Sequence, residues 1–296
     1  MPVVVNNAEG TQLTAVKTEN TAAAAPTAVP TIEDKTVPLV VFVGPSTSGK
    51  SMILVRLARY LFNNGYTISP DPTFLNTTEY EEGCRDFNAN LNSAIALDGT
   101  TKFLLVDVKD NTGRLVAKLL EAPGEDFYTT DPEKIRNGKN NIIEPYLATI
   151  MASSNPKTYV TLLDLDSDIS FRKDGYHRNS YAQRFLSDFY PNINSRGVRD
   201  KIILLYNKID KTSFGTINGC TNPAGARKDA ETLYAPLFAR MKYKKIFMEF
   251  DDFVFKTFCT GMFSKVTIDD GSYYYTYNEA DDVYPQELWK EVIHWK

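Results

Sequence analysis

Continuous apolar runs are the clearest pattern along this chain. They cover residues 39–44 (LVVFVG), 158–166 (TYVTLLDLD) and 201–207 (KIILLYN), and each is rich in β-branched or aliphatic residues. Such runs are typical of central parallel strands that are covered on both faces. We therefore predict three buried parallel strands, and residues 253–261 (FVFKTFCTG) predict a further strand of the same sheet.

Two further apolar segments lie close together in the sequence. Residues 102–110 (KFLLVDVKD) and 114–122 (RLVAKLLEA) flank the turn-forming residues 111–113 (NTG). This arrangement predicts an antiparallel hairpin with a short turn.

Helical spacing of apolar residues follows several of these strands. The segment after Ser51 (MILVRLARYLF) has apolar residues three and four positions apart and ends near residues 63–65 (NNG). Further helices are predicted in the segments 133–152, 178–190, 225–241 and 285–296. Strands that alternate with helices indicate an α/β domain of three layers. We expect a mostly parallel six-stranded sheet with one antiparallel hairpin at its edge.

Two segments differ in composition from this alternating pattern. Residues 1–36 are rich in Ala, Thr and Pro, which favours a flexible leader that either has no role or tethers a partner. Residues 66–100 are polar and rich in turn formers, so we expect a long irregular connection there. Residues 37–296 are accordingly interpreted as a single domain.

Composition bears on the cellular location and on the class of partner. The chain has 33 basic and 37 acidic residues, which gives no electrostatic argument for a nucleic-acid partner. Three distant cysteines and two histidines favour a reducing, cytoplasmic location over a disulfide framework or a zinc site. No run approaches the roughly 20 apolar residues that a membrane helix needs, so we expect no membrane insertion.

A glycine-rich loop follows the first apolar strand. Residues 44–51 read GPSTSGKS, which matches the P-loop pattern between a predicted strand and a predicted helix. Gly44 and Gly49 allow the backbone N–H groups to approach phosphate oxygens, and Lys50 is placed to reach the β- and γ-phosphates. The Ser51 hydroxyl is a candidate Mg²⁺ ligand. The predicted phosphate-binding set is Gly44, Ser46, Thr47, Ser48, Gly49, Lys50 and Ser51.

A second polar segment ends the strand at 201–207. It reads Asn207-Lys208-Ile209-Asp210, and ligands of parallel sheets sit at such carboxyl ends. The Asp210 carboxylate is suited to accept two hydrogen bonds from guanine N1–H and its exocyclic amine. Lys208 is suited to lie over the purine face, while Asn207 ties this loop to the P-loop. Beside a P-loop, this interpretation is favoured over an ordinary charged turn.

Together, GPSTSGKS and NKID resemble the Ras-like GTPases of the translation-factor-related class, and more loosely the bacterial small-GTPase-like and double-GTPase proteins. The resemblance implies a G domain that binds GTP or GDP with Mg²⁺ and meets a protein effector or regulator. It also implies that the base is contacted after the last strand, where Cys259 and Thr260 lie. The switch threonine is expected within residues 66–101, and Thr78 is our choice among Thr73, Thr77, Thr78, Thr100 and Thr101.

The resemblance is weaker in the second switch. The family pattern Asp-x-x-Gly is matched literally at residues 110–113, but these lie in the predicted hairpin turn. Residues 121–124 (EAPG) follow the strand instead, so Glu121 is expected to support Mg²⁺ and Gly124 to contact the γ-phosphate. Glu125 stands where Ras-like enzymes have a glutamine that orients the attacking water.

These residues leave three functional hypotheses. The first is a GTP-hydrolysing molecular switch with a slow intrinsic rate, in which Lys50, Gly124 and Glu125 take part in catalysis. The second is a nucleotide-binding scaffold with little or no turnover, which Glu121 and Glu125 favour. The third is a P-loop ATPase or kinase, which NKID argues against.

Overall fold

The computed structural model describes most of the chain beyond residue 34. The described residues are 3–6, 12–15, 32, 34–45, 48–75, 77–91, 104–124, 145–165, 178–193, 200–245, 247–269 and 273–294. Their strands are β1 (Val3–Asn6), β2 (Gln12–Ala15), β3 (Leu39–Val43), β4 (Thr67–Pro70), β5 (Leu104–Lys109), β6 (Leu115–Glu121), β7 (Lys157–Leu163), β8 (Lys201–Tyr206), β9 (Gly215–Thr216), β10 (Gly219–Cys220), β11 (Lys242–Lys245), β12 (Met248–Asp251), β13 (Val254–Thr257), β14 (Gly261–Thr267) and β15 (Tyr273–Glu279).

The helices alternate with these strands, as the sequence predicts. They are α1 (Lys50–Asn63), α2 (Thr78–Leu91), α3 (Pro145–Ala152), α4 (Arg178–Arg184), α5 (Tyr190–Ile193), α6 (Pro223–Leu233), α7 (Ala235–Arg240) and α8 (Val283–Ile293), and a π-helical turn (Phe185–Phe189) joins α4 to α5. The helix predicted over 225–241 is instead two helices. The chain breaks at Tyr234 because Pro236 has no N–H to donate and its ring crowds the preceding turn.

Seven strands form the central sheet, in the order β13-β8-β7-β3-β6-β5-β4. The strands β13, β8, β7, β3 and β6 are parallel, whereas β5 is antiparallel to both of its neighbours. The mixed α/β class and the mostly parallel sheet are therefore confirmed.

The strand count and the place of the hairpin differ from our expectation of six strands with an edge hairpin. The hairpin β5–β6 lies inside the sheet, because β4 pairs with β5 and forms the edge. The sequence signal for β4 is weak, since TISP is only four residues long and Ile68 is its one aliphatic side chain. Pro70 at its end lacks a donor, which suits an edge strand.

Helix α2 occupies much of the segment that we expected to be irregular. Thr77 begins it, because the Thr77 Oγ1 accepts a hydrogen bond from the Tyr80 N–H at 3.2 Å. Tyr80 and Phe87 are buried, and the Tyr80 hydroxyl donates to the Asp71 carbonyl at 2.7 Å. The segment is thus attached to the sheet by one face of a helix.

A buried ion-pair cluster lies beneath this helix. The Lys118 Nζ is 2.6 Å from an oxygen of Asp71 and 2.6 Å from an oxygen of Asp107. Burial favours neutral Asp71, but hydrogen bonds from Lys118 and Thr73 outweigh it and hold the Asp71 pKa below its usual value. The cluster joins β4, β5 and β6.

The core is centred on β3 and β7, in which every residue is buried. Helix α1 packs its apolar face on this sheet and buries residues such as Ile53, Leu54 and Leu57. The long apolar runs of the sequence therefore lie where strands are covered on both sides, as predicted.

Within the predicted leader, β1 and β2 pair as an antiparallel hairpin. This differs from the flexible segment that the composition favours at those positions. The prediction of flexibility elsewhere in residues 1–36 falls mostly outside the described residues, and it stays a prediction.

Candidate functional site

Five polar segments meet at one edge of the sheet. The parallel strands β3, β6, β7, β8 and β13 all have their carboxyl ends there, and each is followed by polar or glycine residues. Strand β3 pairs with β6 on one side and with β7, which follows β6 in the chain, on the other. Ligands of open α/β sheets bind at such a switch point. The candidate site therefore lies beyond the end of β3.

The described residues of the loop after β3 are joined by side-chain hydrogen bonds. The Lys50 Nζ donates to the carbonyl oxygens of Gly44 and Pro45, each at 2.9 Å, and the Ser48 Oγ donates to the Pro45 carbonyl at 2.8 Å. Lys50 is buried, so its cation is held inside the loop. Ser46 and Thr47 of the predicted phosphate-binding set lie outside the described residues.

Both glycines of the motif are required by this geometry. A Cβ atom at Gly44 would lie 2.8 Å from the Ser48 Oγ. Gly49 has a φ of 96°, and a Cβ there would lie 2.8 Å from the Asn207 Nδ2. Helix α1 begins at the next residue, so the positive end of its dipole faces the loop.

Asn207 connects the loop after β8 to the phosphate loop. Its Nδ2 donates to the Ser48 carbonyl at 3.0 Å, across 159 residues of sequence. Its Oδ1 is buried and has no hydrogen-bond partner among the described residues. The predicted tie between the two loops is therefore present.

Lys208 has a left-handed backbone, with a φ of 60°, which turns the chain after Asn207. Its Nζ lies 2.9 Å from the Asp164 Oδ1. Asp164 follows β7 and is fully buried. Its backbone N–H and carbonyl both bond to the Tyr234 hydroxyl, at 2.9 and 2.8 Å.

The contact between Lys208 and Asp164 was not predicted from the sequence. The sequence signal that points to Asp164 is its position, since it follows the strand between β3 and β8.

Asp210 and Cys259 come together at the far side of the crevice. The Cys259 Sγ is 3.2 Å from the Asp210 Oδ1. Burial of the thiol and its hydrogen bond with Asp210 raise the Cys259 pKa to about 12. The thiol therefore stays protonated at neutral pH and donates to the carboxylate. Thr260, next in the chain, is also buried.

Two of the three predicted magnesium ligands, Ser51 and Glu121, meet on the other side of β3. The Ser51 Oγ donates to the Glu121 Oε1. Glu121 is buried, and Gly124 is buried three residues later. A hydroxyl and a carboxylate in contact are hard oxygen donors of the kind that Mg²⁺ takes, so these residues fit the ion. Thr78 is exposed in the first turn of α2, and Glu125 lies outside the described residues; their predicted roles stay predictions.

Comparisons with known proteins give little beyond this geometry. No protein-family model matches the chain, and no curated protein sequence matches it. One similar solved structure is the signal recognition particle receptor SRb-GTP/SRX complex from Chaetomium thermophilum. Its matched chain is 18% identical, with a TM-score of 0.34 over 76% of this chain and 90% of that one. No helix among the described residues is long and apolar enough to cross a membrane.

Proposed function

We propose that this protein binds guanine nucleotides with Mg²⁺ and hydrolyses GTP as a molecular switch. The observation that carries the proposal is the hydrogen bond from the Asn207 Nδ2 to the Ser48 carbonyl. It joins the loop that ends in Asp210 to the loop that contains Lys50. A loop that binds phosphate and a carboxylate that binds the base, joined by this hydrogen bond, suit a nucleoside triphosphate.

The roles of the residues follow from their chemistry. Lys50 would leave the Gly44 and Pro45 carbonyls to neutralise the β- and γ-phosphates, while the N–H groups at the start of α1 bind their oxygens. Asp210, which Cys259 holds by a hydrogen bond, would accept from guanine N1–H and the exocyclic amine. Ser51 and Glu121 would hold Mg²⁺, which supplies charge neutralisation at the phosphates when bound.

A second candidate is a nucleotide-binding scaffold that turns over slowly or not at all. Glu121 supports it, because a glutamate stands where the family pattern has an aspartate. Glu125 supports it as well: an ionised carboxylate cannot donate to the γ-phosphate and would repel it. An ATPase or kinase function is less well supported, since Asp210 has no matching donor pair on adenine.

Exchange of the base tests the binding proposal. Asp210→Asn should shift the preference from GTP toward xanthosine triphosphate, because the amide donates where the carboxylate accepts. Isothermal titration calorimetry with both nucleotides measures the shift in affinity. Asp86→Asn, at an exposed position of α2, is the matched control. An unchanged preference would exclude Asp210 as the base reader, and full binding by Lys50→Ala would exclude the phosphate loop.

Single-turnover hydrolysis separates the two candidates. We expect slow GTP hydrolysis by the wild-type protein, and faster hydrolysis by Glu125→Gln because a neutral amide can orient water beside the phosphate. A wild-type protein that binds GTP but never cleaves it, alone or with cell extract, would leave the scaffold as the function.

A further inference from the structure

The hairpin of β11 and β12 carries an apolar tip in solvent. Four cross-strand residue pairs form it, from Lys242 with Asp251 to Lys245 with Met248. Phe247 is 99% exposed at the turn and Met248 is 63% exposed beside it. Phe and Met side chains cost free energy in water, so this exposure needs a reason.

Ile246 and Phe247 connect the two strands, and Ile246 lies outside the described residues.

The base of the same hairpin is firmly attached to the domain. The Arg227 guanidinium lies 2.5 Å from the Asp251 carboxylate and 5.6 Å from the centre of the Phe253 ring. The Tyr190 hydroxyl donates to Asp252 at 3.0 Å. This base precedes β13, at the amino ends of the parallel strands, and so lies opposite the candidate nucleotide site. The tip therefore projects from a rigid support.

The charges behind the tip are mostly basic. The β11–β12 hairpin, residues 242–251, has Lys242, Lys244 and Lys245 against Glu249 and Asp251, a net charge of +1 in a chain with a net charge of −4. Lys242 pairs with Glu249 at 3.4 Å, and both Lys244 and Lys245 are exposed. An apolar point with lysines behind it is complementary to an anionic lipid surface.

We propose that the β11–β12 tip inserts Phe247 and Met248 into the interface of an anionic membrane, with Lys244 and Lys245 on the lipid headgroups. A two-residue tip offers little area to a folded protein, whereas a bilayer interface surrounds an inserted side chain on every side. The stacked rings of Tyr243 and Phe250, with centres 5.6 Å apart, lie two residue pairs behind the Lys245–Met248 pair at the tip. Aromatic rings are favoured at the level of the headgroups. This proposal is independent of nucleotide binding.

Cosedimentation of the purified full chain with lipid vesicles tests it. We expect binding to phosphatidylcholine vesicles that contain about 30 mol% phosphatidylserine, and weaker binding to phosphatidylcholine alone. Phe247→Ser should reduce the partition coefficient about tenfold or more. The double variant Lys244→Gln/Lys245→Gln should reduce binding to anionic vesicles by a similar factor.

Phe62→Ser is the matched control. Phe62 is 66% exposed at the end of α1, so it is also an aromatic side chain in solvent, and its loss should leave vesicle binding unchanged. Circular dichroism checks that each variant is folded. A wild-type chain that does not sediment with anionic vesicles overturns the proposal, as does equal binding by Phe247→Ser and Phe62→Ser. Self-association without vesicle binding, lost in Phe247→Ser, would identify the tip as a protein contact and also overturn it.

Discussion

Replacing Asn207 by alanine removes the hydrogen bond between the two loops of the candidate site and leaves Lys50 and Asp210 in place. The variant removes the Nδ2 donor, so the buried Ser48 carbonyl loses the hydrogen bond of 3.0 Å. A buried carbonyl left unpaired costs about 1–3 kcal/mol. The substitution also removes the buried Oδ1 that has no partner among the described residues, which offsets part of this cost. The net loss in the free protein is therefore about 1 kcal/mol.

The effect on nucleotide binding should be larger. The Ser48–Gly49 peptide, which Asn207 holds, belongs to the loop that must present its N–H groups to phosphate. We expect GTP affinity to fall about 10- to 100-fold, which is about 1.4–2.8 kcal/mol. At saturating GTP, the stabilisation gained from the nucleotide should fall by the same amount.

Urea denaturation with and without Mg²⁺ and GTP measures both quantities, and titration calorimetry gives the affinity directly. Asn218→Ala, at an exposed asparagine of the β9–β10 turn, is the control and should change neither. If Asn207→Ala lowers stability equally with and without GTP and binds GTP like wild type, then Asn207 is only structural. In that case, Asn207 does not couple the two loops in nucleotide binding.

Three further predictions concern single side chains. Gly49→Ala should abolish triphosphate binding in calorimetry and destabilise the protein by about 1–3 kcal/mol, because φ is 96° and the new Cβ meets Asn207; full binding would contradict this. Stability contributed by Asp71, whose folded pKa is lowered, should be present above its unfolded pKa of about 3.9 and lost as pH falls through the lower folded value. Urea denaturation at pH 7 and near pH 3 should therefore show a smaller loss on acidification for Asp71→Asn than for wild type, and equal losses would exclude the linkage. Cys259, buried and with its pKa raised to about 12, should react with Ellman's reagent at pH 8 only after unfolding, later than half-buried Cys220; reaction of all three thiols in the folded protein would contradict this.

The buried strands and the two loops could be predicted because their signals are local. LVVFVG, TYVTLLDLD and KIILLYN are long apolar runs, and GPSTSGKS and NKID follow two of the strands directly. The hairpin turn at residues 111–113 is likewise encoded by its own residues, and Gly113 has a φ of 83°. These features need no knowledge of distant contacts.

Other elements depend on contacts that the sequence does not display. Strand β4 is four residues long and forms only because β5 offers it an open edge. The sequence pattern for helix α2 is weaker. Tyr80, Cys84, Phe87 and Leu91 recur at helical spacing, after a threonine that caps the first turn. Its polar composition and the glycine at its centre, Gly83, favour a loop when the packing partner is unknown.

The contacts of Arg56 and Arg59 also lie beyond sequence reasoning, and they bear on how a switch would signal. Both arginines lie on α1, the helix that begins at the phosphate loop. The Arg59 Nε donates to the Leu91 carbonyl at 2.8 Å, where α2 ends, and its Nη1 lies 2.6 Å from Glu279 on β15. The Arg56 Nη2 bonds to the Ala280 carbonyl at 2.8 Å.

Helix α1 is thus joined both to the helix in the first predicted switch segment and to the tyrosine-rich hairpin of β14 and β15. That hairpin starts at Gly261, directly after Thr260 in the predicted base-contacting loop, and the Ala280 N–H at its other end bonds to the Thr260 carbonyl at 3.0 Å. Two independent connections therefore run from the candidate nucleotide site to one hairpin. A bound nucleotide that shifted either α1 or the Cys259–Thr260 loop would therefore move the residues where the β14–β15 hairpin joins the domain. If the protein acts as the switch proposed above, these connections make the hairpin a candidate surface for a nucleotide-dependent contact with an effector, whereas the β11–β12 tip, at the amino ends of the parallel strands, is suited to a contact that does not depend on the nucleotide.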